Sequence, residues 1–324
     1  MNRKTACIFV VLVLIQITFA GCAGNERPVN TDTAVIPSGN RTGDSGEQAS
    51  DAAGILPGEN NCVINDTVVD VFKEPDIQSQ RITQVLYNQP VEIVEERESW
   101  TRIKASDDVS GWVRSRYVDG NLTSVKAGDY KFKIIITAKT KDIHTMPEGG
   151  LTVKEVVMGT QLFSTGKMKG AYEVIIPGGS SGWVSEGGTI QIPVNTAIPR
   201  TSAEDFAATV EKLKGTSYLQ GGISARGIDY SGLAYICSKI NGINLPRGAK
   251  QQYMCGKEVQ PDAVEPGDLL FFSSKEGSDD ISDVGVCISP GKFIHASKTK
   301  GYVMISELDE DYFTKRFIGA RRIF

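Results

Sequence analysis

The tripeptide Gly-Trp-Val occurs at 111–113 and again at 182–184, about 71 residues later. Each copy closes a run of short apolar segments separated by turn residues. The first run is CVINDTVVDVF, QRITQVLYNQPVEIVEE, WTRIKA and SGWVRSRYV; the second is KFKIIITAKT, KEVVMGTQLFSTG, YEVIIPG and SGWVSEGG. Apolar residues alternate with period two between breaks of Gly, Asp, Asn and Pro, which is strand spacing. Each copy therefore predicts a small all-β unit, over 61–124 and 125–195, and a chain that repeats units of this size folds as modules in series.

Length agrees, because 324 residues exceed one ordinary domain. Apolar residues at 40% and charged residues at 23% fit a folded soluble chain rather than a disordered or polytopic membrane one. A formal net charge of −4, with Lys and Arg scattered, leaves no electrostatic footprint for nucleic acid. At the N-terminus Arg3 and Lys4 precede the apolar run ACIFVVLVLIQITFA, too short for a permanent span and patterned as an export signal over 1–21. Its end, Phe19-Ala20-Gly21-Cys22, resembles a bacterial lipobox, which implies a lipid on Cys22 as membrane anchor. Residues 22–60 are rich in Gly, Asn, Ser, Thr, Asp and Pro without apolar periodicity, a tether with a reach of roughly 30 to 40 Å.

After Pro199 the texture changes. TSAEDFAATVEKLKG predicts a helix capped at Ser202 or Thr201, with Phe206, Val210 and Leu213 on one face. The Gly-rich GTSYLQGGISARG leads into a second helix, where Leu233, Ile236, Cys237 and Ile240 fall at i, i+3, i+4 and i+7. Asp229 can cap this helix and Asn241-Gly242 can end it. DLLFF, VGVCI, KFIHAS, YVMIS and RFIGARRI then read as strands, giving an α+β unit over 203–324. A three-residue loop Ser289-Pro290-Gly291, with Gly291 left-handed, would pair Gly285 with His295 and set Asp283 diagonally beside it on the same face.

The blocks GTSYLQGG, GIDYSGLAY, INLPRGAKQQ, VEPGDLLFF, ISDVGVCIS, FIHAS and FIGARRI stand in the order of the NlpC/p60 family, cell-wall cysteine peptidases with a papain-like core, which the C-terminal unit resembles. The two β units resemble bacterial SH3-like domains. The resemblance implies an α+β papain-like domain preceded by two all-β SH3-like barrels. It is similar to the branch that cuts after γ-D-glutamate, before the diamino acid, in peptidoglycan stem peptides with a free L-Ala end. Family chemistry uses a cysteine thiolate at a helix N-terminus, stabilised by the helix dipole and a neighbouring imidazolium, with a third polar residue orienting the histidine.

Carried over position by position, the resemblance puts Tyr230 at the nucleophile, Asp283 at the base and His295 at the orienting position. A carboxylate of pKa near 3.9 falls about 8 kcal/mol short of deprotonating a phenol of pKa near 10. No other cysteine takes the place: Cys237 lies on the apolar helix face, Cys287 within a strand, and Cys62 and Cys255 away from the motif blocks. The pairing of these four is open from sequence alone. Gln220 and Ala249 stand where the family usually has Trp and Ser. Asp229 and Ser231 are implied contacts for the amine and backbone of a stem peptide, and equally a helix cap and a first-turn donor. Tyr218 and Tyr117 are candidate cleft walls, and His295 is as much a structural histidine as a ligand-site one.

The expectation is a lipid-anchored, extracytoplasmic envelope protein whose C-terminal domain binds peptidoglycan stem peptides or an envelope protein, without cleavage and with no cofactor or metal. The alternative expectation is an active γ-D-glutamyl-L-diamino acid endopeptidase with an unconventional Tyr230/Asp283/His295 site.

Overall fold

Short strands with alternating burial pair with their neighbours wherever a turn brings them back, and this builds both β units. The computed structural model describes residues 61–105 and 109–324; the leader, Cys22 and the tether lie outside the described residues. In the first unit β1 (Asn61–Ile64), β2 (Val68–Phe72), β3 (Arg81–Leu86), β4 (Pro90–Arg97), β5 (Trp100–Lys104), β6 (Ser110–Arg114) and β7 (Val118–Asp119) form one antiparallel sheet, in the order β3-β2-β6-β5-β4-β1-β7. The second unit comprises β8 (Phe132–Ile136), β9 (Thr140–Met146), β10 (Gly149–Val157), β11 (Gln161–Met168), β12 (Ala171–Ile175), β13 (Ser181–Ser185) and β14 (Thr189–Pro193), ordered β10-β9-β13-β12-β11-β8-β14. The two orders are identical strand for strand, so the sequence repeat is a repeat of topology.

Burial in β2 alternates, sending Val69 and Val71 inward to meet Ile64, Val85, Val91, Ile103 and Val113. The glycine of each Gly-Trp-Val has a packing reason. A Cβ on Gly111 would sit 2.6 Å from Val71 Cγ1 and 2.7 Å from the Phe72 carbonyl, and one on Gly182 would sit 2.5 Å from Ile143 Cγ2. Only glycine lets this strand approach its neighbour so closely.

The C-terminal unit opens with α1 (Ala203–Glu211), whose Ser202 accepts from the Asp205 backbone while the Asp205 carboxylate accepts from the Ser202 backbone, a reciprocal capping box. A two-stranded ribbon, β15 (Ile223–Ser224) and β16 (Gly227–Ile228), precedes α2 (Tyr230–Ile240) and α3 (Ala249–Tyr253). An antiparallel sheet follows from β17 (Lys257–Val259), β18 (Leu269–Ser273), β19 (Ile281–Ser289), β20 (Lys292–Ser297), β21 (Tyr302–Glu307) and β22 (Phe317–Arg322), with α4 (Asp311–Thr314) before the last strand. Its order is β17-β22-β18-β19-β20-β21. One face carries Leu269, Phe271, Val284, Val286 and Ile294 against Phe206, Val210, Leu233, Ile236 and Cys237 of the helices. The other gathers Leu270, Phe272, Phe293 and Phe313. The helices α3 and α4 span only five and four residues, too few to show a helical period in sequence.

Both barrels dock on this unit. Leu86 and Val157 share its main core, and Gly159, at φ +91°, stands so close to Ile236 of α2 that a Cβ would collide with the Ile236 side chain. On the first barrel Gln84 Oε1 accepts from the Ile223 backbone at 3.0 Å and the Ser224 hydroxyl at 3.2 Å, while Arg81 donates to the Gln220 carbonyl at 3.1 Å. The Gly-rich loop ahead of α2 is thereby held from outside its own domain.

Candidate functional site

Asp229 caps α2 and organises what surrounds it. Its Oδ1 accepts from the Gly232 backbone at 2.7 Å, closing the first turn, and its Oδ2 accepts from the Gly221 backbone at 2.8 Å, tying in the Gly-rich loop. Arg247 completes the shell with a bidentate pair, Nη1 to Oδ1 at 3.0 Å and Nη2 to Oδ2 at 2.9 Å. Its Nη1 also donates to Ser231 Oγ at 2.9 Å, its Nη2 to the Gly222 carbonyl at 3.2 Å, and its Nε to Thr83 Oγ1 of the first barrel at 3.2 Å. Side-chain exposure is 9% for Arg247 and 3% for Asp229, so the pair is buried. The partner of Asp229 here is an internal guanidinium, and a ligand amine would reach the carboxylate only by displacing it. Gln252 of α3 adds a brace, donating to the Ser231 carbonyl at 3.0 Å and the Pro246 carbonyl at 2.8 Å.

Tyr230 is the first residue of α2, at the positive end of the helix dipole. Burial nevertheless pushes its phenol above the ordinary value of 10.0, reinforced by the charges of Asp229 and Asp283 and opposed by Arg247. At neutral pH it is a protonated hydrogen-bond donor. Tyr218 is raised likewise, by burial first and then by Asp229, Tyr230 and Asp283, and its hydroxyl donates to Gln220 Oε1 at 2.8 Å. Both phenols thus feel the charges of Asp229 and Asp283.

On the sheet, Gly285 pairs with His295 and Gly291 is left-handed at φ +74°, as expected, but Ser289 pairs with Lys292, so the loop is Pro290-Gly291 and a register shift between Cys287 and Ser289 takes up the extra residue. Asp283 Oδ2 meets His295 Nδ1 at 2.8 Å, and the buried Oδ1 has no hydrogen-bond partner. The other ring nitrogen, Nε2, lies 3.3 Å from the buried Ser306 hydroxyl. With Nδ1–H donating to Asp283, Nε2 accepts from Ser306, and the imidazole is held at both ends. Burial pushes the Asp283 carboxyl above its ordinary value, and His295 works against that shift.

Four cysteines among the described residues are free thiols. Cys237 is fully buried and its thiol is pushed strongly up by burial; Cys62 rises to about 12 and Cys287 to about 11 from the same cause. None heads a helix. Tyr117 lines a groove between the first barrel and the C-terminal unit with Leu219 and Arg226, and its hydroxyl accepts from Arg116 at 2.7 Å. No three His, Cys, Asp or Glu side chains converge as metal ligands among the described residues. Arg247, Gln252, Gln84 and Thr83 form most of the site's support, yet sequence reasoning does not single them out. Arg247 and Gln252 lie inside INLPRGAKQQ, and the signal available was a cation two residues after Leu245 with a buried carboxylate in need of a partner.

Comparison with known proteins gives the family. Residues 67–119 match the Bacterial SH3 domain model. The chain is 25% identical over 248 residues to a γ-D-glutamyl-L-lysine dipeptidyl-peptidase of Bacillus cereus, a match covering 74% of each protein. It is 41% identical over 123 residues to the Bacillus subtilis protein of that name, a match spanning 42% of the relative's length and 38% of this chain. The crystal structure of an NlpC/P60 family protein from Bacillus cereus superposes with a TM-score of 0.75 at 21% identity, covering 82% of this chain and 99% of that one, so the three-part fold is shared. Over 110 residues the chain is 42% identical to the Escherichia coli protein named "Probable endopeptidase NlpC", covering 70% of that protein and 34% of this chain. With residues 215–322 matching its family model as well, the chain belongs to the NlpC/P60 family of peptidoglycan peptidases, with bacterial SH3 domains at its N-terminal side.

Proposed function

We propose that this chain recognises peptidoglycan stem peptides at the extracytoplasmic cell envelope, tethered through Cys22, and holds them without thiol-based cleavage. The carrying observation is Tyr230 at the first position of α2, where burial keeps the phenol protonated. Nucleophilic attack on an amide needs a deprotonated group at that helix end and a base to receive its proton. The facing strand offers Asp283, a carboxylate whose Oδ2 is committed to His295. What the site does offer is recognition: a donor on Tyr230, and the Tyr218 hydroxyl oxygen, whose proton goes to Gln220, as an acceptor. Arg247 already fills the Asp229 carboxylate, so a ligand amine gains no ion pair there unless it displaces the guanidinium.

A second reading is hydrolysis of γ-D-glutamyl bonds by Tyr230, Asp283 and His295. The names of the relatives favour it, and so does the ordered Asp283–His295 pair, which retains an acid–base couple on the strand. Incubating the full chain with L-Ala-γ-D-Glu-L-Lys separates the two, with cleavage followed by mass spectrometry and binding by calorimetry. Binding without turnover supports recognition. Turnover abolished by Tyr230→Phe establishes hydrolysis, and absence of both overturns both in favour of docking to an envelope protein.

A further inference from the structure

The C-terminal unit also carries a basic surface. The chain leaving α1 lies beside the start of β21: Gly215 N–H donates to the Val303 carbonyl at 2.9 Å, Val303 N–H to the Thr216 carbonyl at 2.8 Å, and Tyr218 N–H to the Gly301 carbonyl at 2.8 Å, with Ser217 bridged to Tyr302. These bonds hold the α1 exit against the β20–β21 turn. The two segments so joined, 212–218 and 297–303, contain four lysines and no acidic residue. Lys212, Lys214, Lys298 and Lys300 are all exposed, and among the described residues none has a carboxylate within ion-pair distance. Lys154, Lys167, Lys169 and Lys250, by contrast, each pair with an Asp or Glu. Next to this turn Tyr302 stands 45% exposed.

Four unpaired ammonium groups on two hydrogen-bonded segments make a local positive field on a chain of formal charge −4. Lysine is a flexible point charge and not a planar fork, so the surface selects negative charge density in preference to one carboxylate geometry. None of these residues lines the groove beside Tyr117 or the smaller pocket at Cys287 and Pro290, so the lysines stand on an exposed turn and strand edge, without a cleft to hold a thread-like polymer. A projecting basic edge with an exposed tyrosine fits a planar anionic surface, where lysines meet phosphate and the amphipathic ring sits at headgroup level.

We propose that Lys212, Lys214, Lys298 and Lys300, with Tyr302, dock the C-terminal unit onto the anionic phospholipid headgroups of the membrane. A net-acidic chain is repelled on average by such a surface, and a local basic edge then selects one orientation. Each lysine held at an anionic leaflet is worth about fivefold in association, an effect confined to a Debye length of about 8 Å. The inference rests on the proposed tether through Cys22 only for what keeps the chain near a membrane.

The test incubates the full chain with vesicles of phosphatidylcholine alone, and with vesicles of phosphatidylcholine and phosphatidylglycerol in equal parts. Lysines are then labelled with an amine-acylating reagent and each position is read by mass spectrometry. On the anionic vesicles the four lysines should label at least about threefold more slowly than on the neutral ones. Salt at about 1 M, which shortens the Debye length to about 3 Å, should restore their labelling. Lys126, exposed between the barrels, should be unchanged throughout. Lys298→Gln/Lys300→Gln should abolish the protection of Lys212 and Lys214 at an unchanged melting temperature. Equal labelling of the four lysines on both kinds of vesicle overturns the docking. Flotation with the neutral vesicles reports the lipid anchor separately: a chain that floats without protection keeps the anchor and loses the docking, and protection on anionic vesicles without flotation on neutral ones does the reverse. Protection by soluble poly(glycerol phosphate) equal to or greater than that by anionic vesicles, at the same phosphate concentration, overturns the membrane in favour of a wall polymer.

Discussion

Replacing Arg247 by Met keeps most of the side-chain volume and removes the cation paired with a buried carboxylate. In the native chain the guanidinium donates to Thr83, Ser231, the Gly222 carbonyl and both oxygens of Asp229. Removing one member of a buried ion pair costs about 3–5 kcal/mol, because the remaining charge is stranded in low dielectric. Asp229 still accepts from the Gly221 and Gly232 backbones, which puts the expected loss at the lower end, about 3 kcal/mol. The probe has to report on the right module. All three tryptophans, Trp100, Trp112 and Trp183, lie in the barrels, so their fluorescence would miss the event. Amide hydrogen exchange along α2 reads it directly, as a fall in protection at Leu233 to Ile240. The double variant Asp229→Asn/Arg247→Met removes both charges and should recover about half or more of the loss. A cost below about 1 kcal/mol for Arg247→Met, or a double variant no more stable than the single one, would refute the stranded-charge account.

Other consequences are open to measurement. Gly159→Ala forces a Cβ into Ile236 at a left-handed position and should cost about 1–3 kcal/mol, read as a lowered melting temperature with looser exchange in α2. Tyr230 should titrate above 10.0 in a difference spectrum against Tyr230→Phe; because the native pKa is raised, the stability it confers is complete below the unfolded value and lost as pH climbs through the native one. Asp283 is raised above 3.8, so the native state keeps its proton longer than the unfolded chain and stability falls as pH rises through the native value. Asp283→Asn should flatten that fall in melts taken across acidic pH, and an unchanged slope would count against it. Of the four described thiols, Cys255 is the partly exposed one and should react first with a disulfide reagent, while Cys237 reacts only on unfolding.

What the sequence made legible was whatever has a period or a tight turn. Gly-Trp-Val marked both barrels because one glycine in each allows a close strand approach, and the recurrence of that constraint exposed the recurrence of topology. The Gly285–His295 pairing was legible from Pro290-Gly291, because a left-handed glycine after proline permits few hairpins, while the shift that pairs Ser289 with Lys292 was not. Asp229 could be expected to cap α2, since cap and helix are adjacent in sequence. Its second occupation, by Arg247, could not. Arg247 arrives from a turn beyond α2, and its Nε reaches a barrel 164 residues away in sequence. Gln84 is likewise 139 residues from the Ile223 backbone it secures. Such contacts depend on how modules dock, and docking surfaces carry no periodic pattern.

That division bears on how Tyr230 is understood. Sequence position alone presents it as a substituted nucleophile, and everything else about that helix start would suit a reactive group: a free dipole end, a fixed cap and a rigid loop held by the first barrel. On the proposed reading this rigidity serves recognition. A site braced by Arg247, Gln252 and Gln84 keeps Tyr218 and Tyr230 in fixed relation without any bond having to be broken. Preorganisation of this kind lowers the entropy lost on binding as effectively as it lowers a reaction barrier. On the proposed reading the phenol stands in place of the reactive thiol within a retained recognising frame, and a Tyr230→Cys/Asp283→His variant that gains turnover on L-Ala-γ-D-Glu-L-Lys would show that the frame alone was sufficient.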